Sequence, residues 1–305
     1  MVVFLFKRML SLLMVVLGAL AITFLLIRVQ PGGPFDKEKA PPPEVLKELE
    51  ERYGLNKPLP MQFVSYLDNL VHGRLGPSTH YRDRSVNEVL AQKLPRSFQL
   101  GFLAFVIASI GGVVVGGIAA MRQNTMTDYS IMFLVLLAIS LPSFVTGPAS
   151  ILVFSLWLGW LPVGGWESWR DTILPSICLA APFLATIARL MRNSLLDVLK
   201  QDYVRTAMAK GLSPSKVVFK HAMKVAILPV VTFLGPLAAN LLTGSIVVES
   251  IFNINGAGPL FISSIQHRDA FLLGGVVLLY CVLLVIFNLA VDMVYSFLDK
   301  RIRIL

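Results

Sequence analysis

Six long apolar runs constrain this chain more than any other feature. About 20 helical residues cross the hydrocarbon core of a bilayer, and helices can do so because they satisfy their own backbone hydrogen bonds. A chain that is 55% hydrophobic and only 15% charged fits this class better than that of soluble domains. We therefore predict an all-α membrane protein with six transmembrane helices, over Met9–Ile27, Ser97–Met121, Tyr129–Leu158, Thr172–Ala188, Ile227–Ile251 and Ala270–Phe297.

Residues 1–29 contain an N-terminal tail and the first apolar run. Lys7 and Arg8 precede this run, so a cleaved signal peptide is an alternative to a transmembrane helix. The run is long for a signal peptide, and no clear small-x-small cleavage site follows it. We therefore expect the run to stay in the protein as the first transmembrane helix.

Residues 30–96 have a different composition. They contain ten Lys or Arg and nine Asp or Glu, a balance that suits a small solvated domain. Helices are expected over 44–53 and 61–72, and Ser85–Leu94 is expected to form a short amphipathic piece leading back to the membrane. Residues 97–305 then hold the remaining five runs and form the core.

Two patterns within the apolar runs predict local geometry. Gly112-x-x-x-Gly116 permits a close approach to a neighbouring helix. Pro142 and Pro148 interrupt the third run, and a proline inside a membrane helix usually marks a kink.

The segment Arg189–Pro229 is a basic interruption between the fourth and fifth runs, with eight Lys or Arg against two Asp. It predicts two short helices around a turn at Gly211, because glycine tolerates positive φ and ends helices. The first helix is expected from about Ser194, with Leu196, Tyr203 and Ala207 on one face. The second starts at Ser213-Pro214, with one stripe of Lys216, Lys220 and Lys224 and another of Val218, Ala222 and Val225.

Charge predicts the orientation. With both termini in the cytoplasm, the cytoplasmic pieces hold 14 Lys or Arg and four Asp or Glu. The short outer loops then hold two Arg and three Asp or Glu. The positive-inside rule favours this arrangement, which places residues 30–96 outside.

Catalytic and metal-binding patterns are absent from the sequence. It contains no phosphate-binding G-x-x-x-x-G-K-[ST], no H-E-x-x-H and no G-x-S-x-G, and its four histidines are scattered. We therefore predict no catalytic residue, no metal site and no cofactor in this chain. Glu249 and Asp292 lie in or near apolar runs, where an acid serves either as a packing contact or as part of a polar pathway.

Several motifs together resemble those of a known family. Residues 205–211, RTAMAKG, resemble the EAA loop of ABC importer permeases, in the form typical of the peptide/nickel family. Further blocks that agree are 53–59 with 72–78, 249–252 with 256–261, and 288–292. The blocks are spread over nearly the whole chain, and their match is best to the oligopeptide branch of that family.

The resemblance implies a type I ABC importer permease fold in the bacterial inner membrane and several partners. These are a second permease subunit (OppC-like), two ATPase subunits (OppD/OppF-like) that bind ATP and Mg²⁺, and an external peptide-binding protein (OppA-like). A coupling loop at about 192–224 would contact an ATPase subunit through Tyr203, Arg205, Thr206, Ala207, Lys210, Gly211, Leu212 and Ser213. Candidates for docking the external protein are Gly256, Gly258, Arg268 and Asp269.

The function implied is ATP-driven import of oligopeptides, with dipeptides, nickel chelates or glutathione as alternative substrates. Two other classes remain as alternatives. An ion-coupled secondary transporter should show inverted repeats and membrane-centred charges, and an intramembrane enzyme needs a nucleophile–base pair or a metal set within its helices. Neither pattern is clear in the sequence.

Overall fold

The computed structural model describes residues 2–29, 44, 47–48, 51, 54, 56–81 and 83–298. Apart from one bridge between Pro77 and Ser85, regular structure within these ranges is helical. The helices are α1 Val2–Val29, α2 Leu59–Val71, α3 Val86–Met121, α4 Met126–Ser140, α5 Ser143–Ser150, α6 Trp169–Leu199, α7 Asp202–Ala209, α8 Pro214–Val217, α9 Met223–Ala226, α10 Leu228–Leu242, α11 Ile246–Ile251, α12 Gly258–Gln266 and α13 Ala270–Leu298. Two π-helical stretches, Ile151–Trp157 and Val218–Ala222, follow α5 and α8.

Helix ends follow local chemistry. Pro58 precedes α2 and Pro60 lies in its first turn, where the fixed φ of proline is already helical. At the start of α6, the Asp171 carboxylate accepts hydrogen bonds from the backbone N–H groups of Glu167 and Ser168, at 2.8 and 2.7 Å. These bonds satisfy the donors of the two residues that precede the helix and are part of its capping box.

Two compact units can be distinguished. The first comprises Met1–Pro95 and Gly256–Leu283, and the second comprises Arg96–Asn255 and Leu284–Leu305. The core of the first unit joins the beginning of α3 to α12 and α13, through Val86, Val89, Leu90, Ala257, Leu260 and Leu272. Tyr66 of α2 is also buried in this unit, with its ring 6.2 Å from that of Phe271.

The second unit is built around α6. One buried cluster includes Leu174, Ile187, Met191 and Leu195 of α6 together with residues of α3, α7, α10 and α11. Glycines allow the close contact between α3 and α6, because a Cβ added at Gly116 would collide with the backbone of Ala188, and one at Gly112 with the side chain of Ile187. The expected close approach at this glycine pair is therefore confirmed.

Four helical spans in the described residues are long and apolar enough to cross a membrane: Val86–Met121, Trp169–Leu199, Leu228–Ile251 and Ala270–Val291. The pair Met126–Ser140 and Ser143–Trp157 passes the same test together, with a bend of 108° at its break, so the described residues hold four candidate spans, or five if this bent pair is one span rather than a re-entrant loop. The break is at Leu141-Pro142, so the proline-induced kink is confirmed. The stretch Leu13–Leu25 of α1 is an apolar helix, but it is shorter than these candidate spans.

Several element boundaries differ from the prediction. Ser85–Leu94 is not a separate piece, because α3 continues through Pro95 into the apolar run. The segment between the predicted fifth and sixth runs, which its glycines lead us to expect as a loop over 253–269, contains the helix α12. The helix predicted over 61–72 is confirmed as α2, whereas most of the one predicted over 44–53 lies outside the described residues.

A candidate coupling site

The coupling segment, residues 192–224, begins inside α6 rather than in a loop. The predicted fourth run ends at Ala188, but α6 continues as one helix to Leu199. A new helix, α7, then starts at Asp202, so the single helix expected from about Ser194 is wrong. Because α6 is unbroken from Trp169 to Leu199, its apolar part and the start of the coupling segment form one rigid element.

One face of α7 packs onto this element. Val204 is fully buried and Ala207 is 7% exposed, and both share a buried cluster with Leu195 and Val198 of α6. The one face predicted for Tyr203 and Ala207 is therefore divided, because Ala207 is buried whereas Tyr203 is 45% exposed. Arg205 and Thr206 are also exposed. Therefore α7 is anchored by two small apolar residues and presents its polar residues outward.

The turn at Gly211 has the predicted conformation. Its φ is +81°, and its N–H donates to the carbonyl of Met208 at 2.9 Å. Lys210, Gly211 and Ser213 are exposed, whereas Leu212 is half-buried and packs against the core. The turn reverses the chain between two helices that are each attached to the same core.

The second half of the coupling segment combines α8, the π-helical stretch and α9. Its buried face is Val217, Val218 and Ala222. The predicted stripe of Lys216, Lys220 and Lys224 is exposed, which confirms it, but Val225 is 45% exposed and does not belong to the buried face. The π-helical turn shifts the register of side chains after Ala222, which the predicted 3.6-residue period did not include.

An ion pair joins α4 to the start of the coupling segment. Arg192 donates from Nε to Asp128 Oδ1 at 2.7 Å and from Nη2 to Asp128 Oδ2 at 2.6 Å. The Asp128 side chain is 1% exposed and that of Arg192 is 20% exposed. From the sequence, both residues enter only the charge count that predicts orientation in the membrane, and their pairing is not predicted. The signal available there was a single acid at the start of an apolar run and an arginine at the end of another.

Of the two acids considered for a polar pathway, Glu249 is fully buried. Its Oε1 accepts hydrogen bonds from Ser97 Oγ at 2.6 Å and from the Ser245 N–H at 3.1 Å. These contacts tie α11 to α3 in the interior of the second unit. The side chain of Asp292 lies outside the described residues.

The four external docking candidates lie in the first unit, and most of them are enclosed. Asp269 is fully buried and accepts hydrogen bonds from Ser78 Oγ at 2.5 Å and from the Leu272 N–H at 3.0 Å. Its carboxylate caps the start of α13, which corrects its assignment as a surface docking residue. Gly256 and Gly258 are buried, and Arg268 is half-buried with a φ of +52°.

Comparison with known proteins identifies the family. Residues 112–304 match the family described as "Binding-protein-dependent transport system inner membrane component". Residues 1–100 match its companion, "Binding-prot-dependent transport system membrane comp, N-term". Together the two matches extend over nearly the whole chain.

Individual relatives agree over the same length. The chain is 43% identical to the oligopeptide transport system permease protein OppB of Haemophilus influenzae, over 98% of this chain and 99% of that protein. It is 42% identical to the dipeptide transport system permease protein DppB of Bacillus subtilis, over 99% and 98%. These similarities extend over nearly all of this chain and of each relative.

A solved structure shares the fold. A chain from inward-facing conformations of the MetNI methionine ABC transporter superposes with a TM-score of 0.58, at 16% identity, over 69% of this chain and 96% of that one. Its fold is that of an ABC importer permease. This chain therefore belongs to the family of inner-membrane components of binding-protein-dependent transport systems, the permease subunits of ABC importers.

Proposed function

We propose that this permease subunit imports oligopeptides and forms half of the translocation pathway with a second, similar permease subunit. Two ATPase subunits would bind ATP and Mg²⁺ and contact the coupling segment, and an external peptide-binding protein would deliver the substrate. The observation that carries this proposal is the coupling segment itself, which is held rigidly on α6 by Val204 and Ala207 and exposes Tyr203 and Arg205.

The mechanism follows from that attachment. A force applied to the exposed face of α7 is transmitted to α6 because the two helices share one core and α6 has no break before Leu199. Close packing of interiors makes such a contact respond as a unit rather than deform. ATP-driven closure of the ATPase subunits would thus move α6 and switch the pathway between inward-facing and outward-facing states.

The proposal includes six transmembrane helices, with α1 as the first, and a small external domain over residues 30–96. Both termini would be cytoplasmic, in a bacterial inner membrane. The charge asymmetry of the short loops supports this orientation. The exposed lysine stripe of the coupling segment is then on the cytoplasmic side, where the ATPase subunits act.

Oligopeptide is the substrate that we propose first, because the relative of this name is 43% identical over nearly the full chain. Dipeptide is the second candidate, favoured by the 42% identity to a dipeptide permease. The two relatives are almost equally similar, so the size of the peptide has to be measured directly.

The decisive experiment is uptake of labelled peptides of graded length by proteoliposomes that contain the complete complex. We expect uptake that requires ATP, the ATPase subunits and the binding protein, with a preference for peptides longer than dipeptides. A preference for dipeptides would support the second candidate. Uptake driven by an ion gradient without ATP would reject the importer mechanism.

A further inference from the structure

We propose that the Asp128–Arg192 ion pair is a coupling element that makes α4 follow the movement of the coupling segment. The proposal rests on the proposed function, in which that segment receives force from an ATPase subunit. It adds a second route for the force: through Arg192 into α4 and the bent pair that α4 forms with α5, as well as along α6.

The pair has the geometry of a strong link. Two parallel N–H···O bonds of 2.7 and 2.6 Å join the guanidinium to both carboxylate oxygens, and such a bidentate fork fixes direction as well as distance. The Asn124 N–H donates a further hydrogen bond to Asp128 Oδ2 at 3.1 Å. With Asp128 only 1% exposed, water cannot readily replace a lost partner.

The position of the pair explains why a link is needed there. Asp128 lies in the first turn of α4, and Arg192 is the first residue of the coupling segment. One turn later in α6, Leu195 shares the buried cluster that holds Val204 of α7. Arg192 therefore joins α4 to the part of α6 that carries α7.

The rest of the interface between α4 and α6 is apolar and extensive: Val135 packs with Ala185 and Ala188, and Ile131, Met132, Ala138 and Ile139 pack against this cluster. This packed contact transmits displacement as the α6–α7 contact does, but its hydrophobic contacts are non-directional. The ion pair supplies the directional constraint. Without it, the start of α4 could shift relative to Arg192 even while the apolar part of the interface stays packed.

The same helix offers a matched control. Lys200 and Asp197 also form an ion pair, but their nitrogen and oxygen are 3.8 Å apart and the side chains are 68% and 77% exposed. Exposed pairs of this kind contribute little, because water and ions screen them. Removing the Asp197 charge therefore changes the same segment without breaking a buried link.

The test measures a ratio, the amount of peptide imported per ATP hydrolysed by the reconstituted complex. The variants are Asp128→Asn, Arg192→Lys, the swap Asp128→Arg with Arg192→Asp, and the control Asp197→Asn. We expect Asp128→Asn to lower the ratio at least about fivefold, because it leaves the Arg192 guanidinium without its charged partner. Arg192→Lys should lower it less, the swap should recover part of the loss, and Asp197→Asn, which removes an exposed charge from the same segment, should lower it less than either single variant of the ion pair.

The ratio separates coupling from mere stability, since a structural defect lowers the amount of complex but not the peptide moved per ATP by complexes that assemble. An unchanged ratio in both Asp128→Asn and Arg192→Lys, or an equal fall in Asp197→Asn, overturns the proposal. If Asp128→Asn does not assemble, Arg192→Lys decides alone, because it keeps the charge and removes the fork. Failure of the wild type to couple ATP to uptake would instead reject the proposed function.

Discussion

Gly211 joins the two halves of the coupling segment with a φ of +81°. A Cβ added there would meet no atom within 4 Å, so space is not what requires glycine at this position. The left-handed conformation costs most other residues about 1–2 kcal/mol, whereas asparagine adopts it more readily. The conformation of the turn, and not its packing, is therefore the property that a substitution should disturb.

We expect Gly211→Val to reduce peptide uptake strongly, because a β-branched residue would shift the turn and with it the exposed face of α7. Gly211→Asn should keep most of the uptake, since asparagine accepts positive φ. Uptake in reconstituted vesicles, normalised to the amount of inserted protein, measures both. Equal uptake in the two variants would show that the conformation of the turn does not control coupling.

At the scale of elements, the contact between α3 and α6 depends on which face of α3 carries glycine. A Cβ at Gly116 would collide with the Ala188 backbone, whereas one at the neighbouring Gly117 would meet nothing within 4 Å. Inserting atoms into a packed contact costs about 1–3 kcal/mol. Alanine in an open helical position instead gains about 1 kcal/mol over glycine.

The adjacent substitutions Gly116→Ala and Gly117→Ala should therefore change stability in opposite directions. We expect the first to lower the thermal unfolding midpoint of the purified protein and the second to leave it unchanged or raise it. Fluorescence-detected unfolding in detergent gives both values under the same conditions. A tolerated Gly116→Ala would mean that α3 and α6 can separate without loss.

Secondary-structure features that one residue determines could be predicted from the sequence, whereas features that depend on tertiary packing could not. The bend at Pro142 and the turn at Gly211 were predicted because each follows from the chemistry of one residue. The extension of α6 to Leu199 and the formation of α12 were not, since both need tertiary packing to stabilise polar or glycine-containing sequence. The register of Val225 was wrong for a related reason, as a π-helical turn leaves no signal in a 3.6-residue pattern.

The same distinction between local and long-range causes applies to the predicted site residues. The exposed lysine stripe was predicted from helical spacing alone. The burial of Asp269 was not, because its hydrogen-bond partner Ser78 is brought to it by folding from 191 positions away in sequence. The Asp128–Arg192 pair was missed for this reason too, since its members are 64 positions apart.

For the whole molecule, the orientation in the membrane can be measured with single cysteines. The native Cys178 and Cys281 are 6% and 9% exposed, so they should give a low background with a membrane-impermeant maleimide. In intact cells we expect labelling of Asp68→Cys but not of Ser215→Cys, because the charge distribution places residues 30–96 outside and the coupling segment inside. Permeabilised cells should label both, and the reverse pattern in intact cells would invert the topology.

The first compact unit is assembled from two stretches of chain, Met1–Pro95 and Gly256–Leu283. During synthesis its early half emerges long before Leu260 and Leu272, against which Val86 and Leu90 pack. Contacts between residues so distant in sequence form late, because the intervening chain must first be ordered or closed into a loop. The early half therefore reaches the membrane before its partners in this unit exist, and a nascent chain that stops before residue 256 lacks the residues against which Val86 and Leu90 pack.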